Sequence, residues 1–364
     1  MEANKPEFDV VSGQTEAGTP IFSVLVKRTY DIRPNQPAVR AAQTRPLVKV
    51  DEYYDHGDPE RSPVKYETDL SPYKLATDVV LVGKAYAPAG NPTSQMAVTL
   101  QVADYRKVIQ VIGDRRLIYQ NNRHPSFTDP VEFTDMEIRY DRAYGGTYMR
   151  SDPSRMFPYP RNPIGAGFAI GNTREAIDGL PAPNLEDPGD LLQPHRVALE
   201  APEQWNRQPL PQGSGWFQRN WYPRCSFVGA VPGFVDPDEV MREEELGIVP
   251  KNQIALARQF KLPAFDVRFN NGASPGLALP FLTGGEPVKL INLTPAGLLD
   301  FFLPNDSPRI MLDIGLGENE LKPALHTVCI RPDEMQVDLV WRGAHEYPGI
   351  DWLAEMKRLV AQIS

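Results

Sequence analysis

The chain predicts a mainly β protein: a β-rich α+β fold of antiparallel sheets in a sandwich or barrel-like arrangement, with long Pro/Gly/aromatic loops and a C-terminal amphipathic helix. Three observations predict it. Proline supplies 37 of 364 residues, about twice its average usage. It fixes φ and removes a backbone donor, which disfavours long helices and long central strands. Short β-branched runs recur between turn formers, and Val79-Val80-Leu81-Val82, between Pro72 and Pro88-Ala89-Gly90, is the clearest. A run apolar on both faces belongs deep in a sheet. Finally, Met96, Val98, Leu100 and Val102 alternate with Ala97, Thr99 and Gln101, the period-two pattern of a strand.

Taken in order, residues 1–18 are polar and read as a loose lead-in. A β-rich first part spans 19–140. Its strands are Phe22 to Tyr30, Val48 to Tyr54, Val79 to Val82 and Met96 to Val102. Val108 to Ile112 and Arg115 to Tyr119 then form a hairpin bent at Gly113-Asp114, and Val131 to Tyr140 closes a meander. Lys74 and Asp78 flank the least polar strand; they are either a solvated strand end or a paired latch that fixes it. Residues 141–264 are a loop-rich middle of Pro, Gly and aromatic residues, with short helices at Asp236 to Leu246 and Lys251 to Phe260. The large side chains there must be buried, so the segment is ordered. A β-rich closing part, 265–349, holds strands at Val288 to Leu293, Arg309 to Ile314 and Leu325 to Ile330. Pro332-Asp333-Glu334 then turns the chain into Gln336 to Trp341. In 350–364, Trp352, Leu353, Met356, Leu359, Val360 and Ile363 fall at helical spacing. Residues 19–364 read as one intertwined domain.

Composition narrows the function. A net charge of -9 and a pI near 5.2 argue against nucleic acid, whose phosphates need clustered Lys and Arg, and against an anionic membrane surface. Arg115-Arg116 is too short to reverse that. The N-terminus has no apolar h-region, and the longest apolar runs, about five residues, fall far short of the ~20 that span a bilayer. A cytoplasmic location is expected. Cys225 and Cys329 either form a disulfide or, as two thiols in a long chain suggest, stay reduced in the core.

Catalytic patterns fail one at a time. Gly272-Ala273-Ser274-Pro275-Gly276 matches a nucleophile elbow by letter, but Pro275 lacks the N–H the oxyanion hole needs. No two of the five histidines sit at i, i+4 and none lies near a cysteine at ligand spacing, so no metal is expected. Gly165-Ala166-Gly167 lacks the third glycine of a dinucleotide loop, and no cofactor is implied. Glu186, in a Pro-rich loop, is the acid to test for a carbohydrate-active or other hydrolase. The contrasting reading is a binding surface. Tyr144, Tyr148, Tyr159, Arg161, Trp205, Trp216, Trp221 and Arg224 are the residue types that dominate interface hot spots, set in stiff loops. Either they meet a partner or they pack their own loops.

Several stretches carry a likeness. Tyr73-Lys74, Thr77-Asp78-Val79-Val80, Gly83-Lys84-Ala85 and Pro88 begin it; Gly113-Asp114-Arg115 and Arg142-Ala143-Tyr144-Gly145-Gly146 continue it. Asn162-Pro163-Ile164-Gly165-Ala166-Gly167-Phe168, Leu185-Glu186, Pro223-Arg224 and Val340-Trp341-Arg342-Gly343 complete it. In order and spacing these resemble a bacterial family catalogued as domain of unknown function twenty-one sixty-nine, encoded beside type VI secretion spike genes. The resemblance implies a non-enzymatic adaptor or chaperone. Such a protein holds an effector toxin or its PAAR spike-tip region and helps load it onto the VgrG spike. It brings no catalytic residues with it, and Trp205 to Pro223 matches more loosely than its flanks. Within it, Lys74, Asp78, Gly145, Gly146, Asn162, Gly165, Gly167 and Trp341 read as architectural.

Overall fold

The Val79–Val82 run forms the strand Thr77–Leu81, and all five residues are buried. Its side chains alternate between two apolar clusters. Val79 and Leu81 enter the largest one, whereas Val80 packs with Val64, Tyr66 and Trp216. Two covered faces are why the run carries no polar alternation. The structure, a computed structural model, describes residues 5–120, 124–149, 156–171, 173–227, 266–313, 315, 317–347 and 360–363.

The sheet built on this strand runs Glu7–Gln14, Pro20–Asp31, Gln336–Glu346, Pro323–Arg331, Thr77–Leu81, Ala278–Leu279, with Val39–Arg40 also paired to Pro20–Asp31. Pairing is antiparallel except between Pro323–Arg331 and Thr77–Leu81. Residues from both ends of the chain are therefore interleaved in one sheet. A second sheet runs Leu185–Glu186, Tyr105–Ile112, Gln95–Val102, Pro287–Ile291, Leu298–Phe302. Val98, Leu100, Ile109, Val111, Leu290 and Phe301 from it share the largest cluster with Val79, Leu81, Val328 and Leu339 from the first. Among the described residues neither sheet closes on itself, so the fold is a packed-sheet arrangement and not a closed barrel.

The loop-rich middle builds its own core from Leu117, Tyr144, Tyr159, Phe168, Ile170, Ile177, Leu192, Val197, Leu199 and Trp205. Regular structure there is sparse, with strands of two or three residues.

Four expectations change. The lead-in contains a strand, Glu7–Gln14, whose Val10 packs against the Phe22, Val24 and Val26 cluster; its weak apolar alternation suffices because the neighbouring strand supplies the pairing. No hairpin bends at Gly113-Asp114. Tyr105–Ile112 pairs back onto Gln95–Val102 through Ala103, at φ 49, and Leu117–Gln120 pairs with His124–Phe127. Val48 to Tyr54 and Val131 to Tyr140 reduce to Glu52–Tyr53 and Asp135–Glu137. In the expected C-terminal helix, Val360–Ile363 is a strand paired with Ile310–Asp313. Ala361 and Ile363 face an apolar cluster and Val360 is exposed, a period of two. The remainder of that helix, and both helices expected between Asp236 and Phe260, lie outside the described residues.

Candidate functional site

Charge enters the interior at several places, and one of them anchors the central strand. Lys74 Nζ donates to Asp78 Oδ2 at 2.7 Å and to Thr327 Oγ1 at 3.1 Å, and both charged residues are buried. Asp78 also accepts from the backbone N–H groups of Gly272 and Ala273 and from Asn271 Nδ2. A few residues away, Arg224 donates to both oxygens of Glu67 and to the carbonyls of Phe217 and Phe269. Burial alone would raise the Glu67 pKa; Arg224, Arg219 and Lys74 outweigh it and hold it below the usual value. Gly272 sits between the two ion pairs. A Cβ there would meet Glu67 Oε2 at 2.7 Å, Arg224 Nη1 at 2.8 Å and the Trp216 ring at 3.0 Å. Lys74 and Asp78 are thus a buried latch that ties the central strand to the loop at Gly272. A buried charge without a partner is costly, and here Lys74 and Asp78 partner each other and the surrounding backbone.

The same loop disposes of the nucleophile-elbow letters. Ser274 is fully buried, its hydroxyl 2.7 Å from the Tyr140 hydroxyl and donating to the Gly215 carbonyl at 2.8 Å. Cys329 is buried, its thiol pushed up to about 12 by burial, and no disulfide joins it to Cys225.

The aromatic residues picked out as a surface are inside. Tyr144, Tyr159, Trp205, Trp216, Trp221 and Arg224 are all buried. Trp221 meets Tyr140 and Phe217 edge-on, each at 5.3 Å. Tyr159 contacts Tyr144, Phe168 and Trp205. Arg161 is half-buried, its guanidinium 4.8 Å from the Trp205 ring. Tyr148 is half-buried against the same core. The loops lack the regular hydrogen-bonded elements that would bury these rings elsewhere, so the rings pack on one another. As contact residues for a partner, Tyr144, Tyr159, Trp205, Trp216, Trp221 and Arg224 are corrected to core. Trp341 is likewise buried, edge-on to Tyr30.

Asn162 is the hinge pin of this middle region: buried, its Nδ2 donates to the carbonyls of Tyr140 and Tyr144. Gly145 lies at φ +152, and a Cβ there would fall 2.1 Å from the Asn162 carbonyl oxygen. At Gly165 it would fall 2.5 Å from the Ala143 carbonyl. Only glycine permits both approaches. Gly145 pairs with Gly167 in a short parallel bridge, and Gly146 donates its N–H to the Asn162 carbonyl.

This close packing shapes an open cleft of about 760 Å³, walled by Asp114, Arg115, Arg116, Arg139, Asp141 and Arg142, with Asn184 at its base. Glu186 stands behind it, buried, with one oxygen held by Arg115 and the other accepting the Leu192 N–H at 2.6 Å. Burial raises the Glu186 pKa against those two partners. Both oxygens are engaged, so Glu186 braces Arg115. Arg139 is paired with Glu137 and Asp141. Arg142 is looser, 39% exposed and 3.7 Å from Asp114. Arg116 donates to the Gly179 carbonyl and has no carboxylate partner among the described residues. Sequence reasoning missed this cleft because its arginines come from separate segments. Those segments are nevertheless ones that carry the family likeness: Gly113-Asp114-Arg115, Arg142-Ala143, Ala166 and Leu185-Glu186.

Fold and site together define a mainly β protein whose interior charges are spent on architecture and whose open face is an arginine-lined cleft. The chain belongs to the family described as "uncharacterized protein conserved in bacteria (DUF2169)", whose profile matches residues 17–342. No curated protein and no solved structure matches it.

Proposed function

We propose that the chain is a non-enzymatic adaptor or chaperone of type VI secretion. It holds an acidic segment of an effector toxin, or of its PAAR spike-tip region, in the arginine-lined cleft and helps load it onto the VgrG spike. The observation that carries the reading is a pair of loosely held arginines on one open cleft: Arg116 has no carboxylate partner among the described residues and Arg142 only Asp114 at 3.7 Å, on a chain of net charge -9. Guanidinium forks match carboxylates bidentately, and Arg116 and Arg142 offer such forks on the cleft wall. At half-exposed sites such pairs are screened within about 8 Å at physiological salt, which suits a cargo that must be given up. The family resemblance read from the sequence supplies the secretion context. Ser274 and Glu186, the side chains a hydrolase would use, are both committed to structural hydrogen bonds.

The test is co-expression with the effector or spike-tip protein encoded beside it, followed by pull-down at rising salt. The reading expects a complex that weakens with salt and is lost in Arg116→Glu/Arg142→Glu. A complex indifferent to both would sink it.

A further inference from the structure

A second cleft, of about 650 Å³, opens between the Thr15–Thr19 turn and the Gln336–Glu346 strand. Its walls include Glu16, Tyr73, Arg342 and Glu346. Arg342 is unlike every arginine described above. Its Nε and Nη1 are buried without a hydrogen-bond partner, and among the described residues no carboxylate pairs with it. Its one contact of note is the Tyr73 ring, 4.5 Å from the guanidinium carbon. Burial works against its charge. Glu16 and Glu346 line the same cleft without pairing with Arg342, and the neighbouring cation Lys74 is spent on Asp78. His326, whose two ring nitrogens also lack partners, is stacked on Phe281 and kept neutral by burial and by the Arg342 and Lys74 charges.

Two buried guanidinium nitrogens without hydrogen bonds are costly, and a cation held over an aromatic face beside an open cleft is oriented for an incoming anion. Glu16 and Glu346 are exposed on the same cleft. They oppose a dianion and favour a ligand with a positive group next to its negative one. We propose that the Arg342 cleft is a binding site for a carboxylate accompanied by a cationic group, separate from the arginine-lined cleft.

Calorimetric titration of the full chain with three probes tests it: the dipeptide acetyl-Lys-Glu-amide, acetate and inorganic phosphate. The dipeptide is expected to bind saturably and at least tenfold more tightly than phosphate. Acetate tests the cationic group: it is expected to bind at least tenfold more weakly than the dipeptide, and equal affinity would overturn the part played by Glu16 and Glu346. Arg342→Met should abolish binding of both carboxylates. Because an apolar side chain there relieves an unpaired charge, that variant should melt no lower than wild type. Glu16→Gln/Glu346→Gln, at two exposed positions, should reduce the dipeptide to the affinity of acetate. No saturable carboxylate binding, phosphate binding most tightly, or Arg342→Met binding undiminished would each overturn the proposal.

Discussion

Arg224 and the pair Arg116 and Arg142 show two uses of one side chain. Arg224 lies in the interior with both Glu67 oxygens and two backbone carbonyls around it. Arg116 and Arg142 stand at the wall of an open cleft, held by a carbonyl, by Asn184 Oδ1 and by a distant Asp114. The first arrangement engages all three guanidinium nitrogens. The second leaves donors pointing at a space of about 760 Å³. The contrast teaches where to look for function in a protein with many charges: not at the most buried ones, which are satisfied, but at those the fold positions without completing.

Mutations can break this contrast from either side. Removing Glu67 should have the largest effect, because it strands Arg224 in the interior and also frees Arg219. Glu67→Ala is expected to cost about 5 kcal/mol in urea unfolding, the upper end for breaking a buried pair. A loss under about 1 kcal/mol would mean that water already reaches the pair. Trp221→Ala should cost about 4 kcal/mol, the scale of an aromatic deleted from a core, and the thermal midpoint should fall with it. An unchanged midpoint would return Trp221 to the surface role its residue type first suggested. Ser274→Ala leaves the Tyr140 hydroxyl without its partner and should cost about 2 kcal/mol.

His326 gives a pH signature. Folding keeps its imidazole neutral, with a pKa well below the usual value, because burial and then Arg342 and Lys74 oppose the charge. Below about pH 6.5 the unfolded chain takes up a proton that the folded chain refuses, so stability falls as pH falls, by up to about 1.4 kcal/mol per unit. Above that pH the full stability is present. His326→Leu should flatten the profile between about pH 6.5 and 5; an unchanged slope there would contradict the assignment. The smallest stability effect belongs to the cleft: Arg116→Glu/Arg142→Glu should shift unfolding by no more than about 0.5 kcal/mol.

Much of the fold was legible before any coordinates. The Val79–Val82 run, the alternation of Met96 to Val102 and the hairpin around Pro332 are local signals, and each forms its strand. What was not legible was long-range. Gly113-Asp114 looks like a bend, yet Tyr105–Ile112 finds its partner on the other side, at Gln95–Val102. Val360 and Ile363 fit a helical spacing, yet the open edge of Ile310–Asp313 recruits them as a strand. Residue type misled at the site as well. Trp216 and Trp221 have interface chemistry, and sequence carries no sign of whether such rings face out or pack inward. The cleft could not be read at all, since Arg116, Arg139 and Arg142 meet only after Asn162 and the glycines around it draw the middle region together. Lys74 and Asp78 left two readings open beside an apolar strand, a solvated end or a paired latch, and their buried geometry is the latch.

The central claim is that function lies in the uncompleted arginines and architecture in the completed ones. The most direct measurement is the affinity of one acidic partner segment, taken from the neighbouring effector or spike-tip protein, for wild type, Arg116→Glu/Arg142→Glu and Ser274→Ala. The account predicts that the charge reversal abolishes binding with the melting temperature unchanged, while Ser274→Ala lowers the melting temperature and binds as wild type does below it. Undiminished binding by the charge-reversed protein would contradict it.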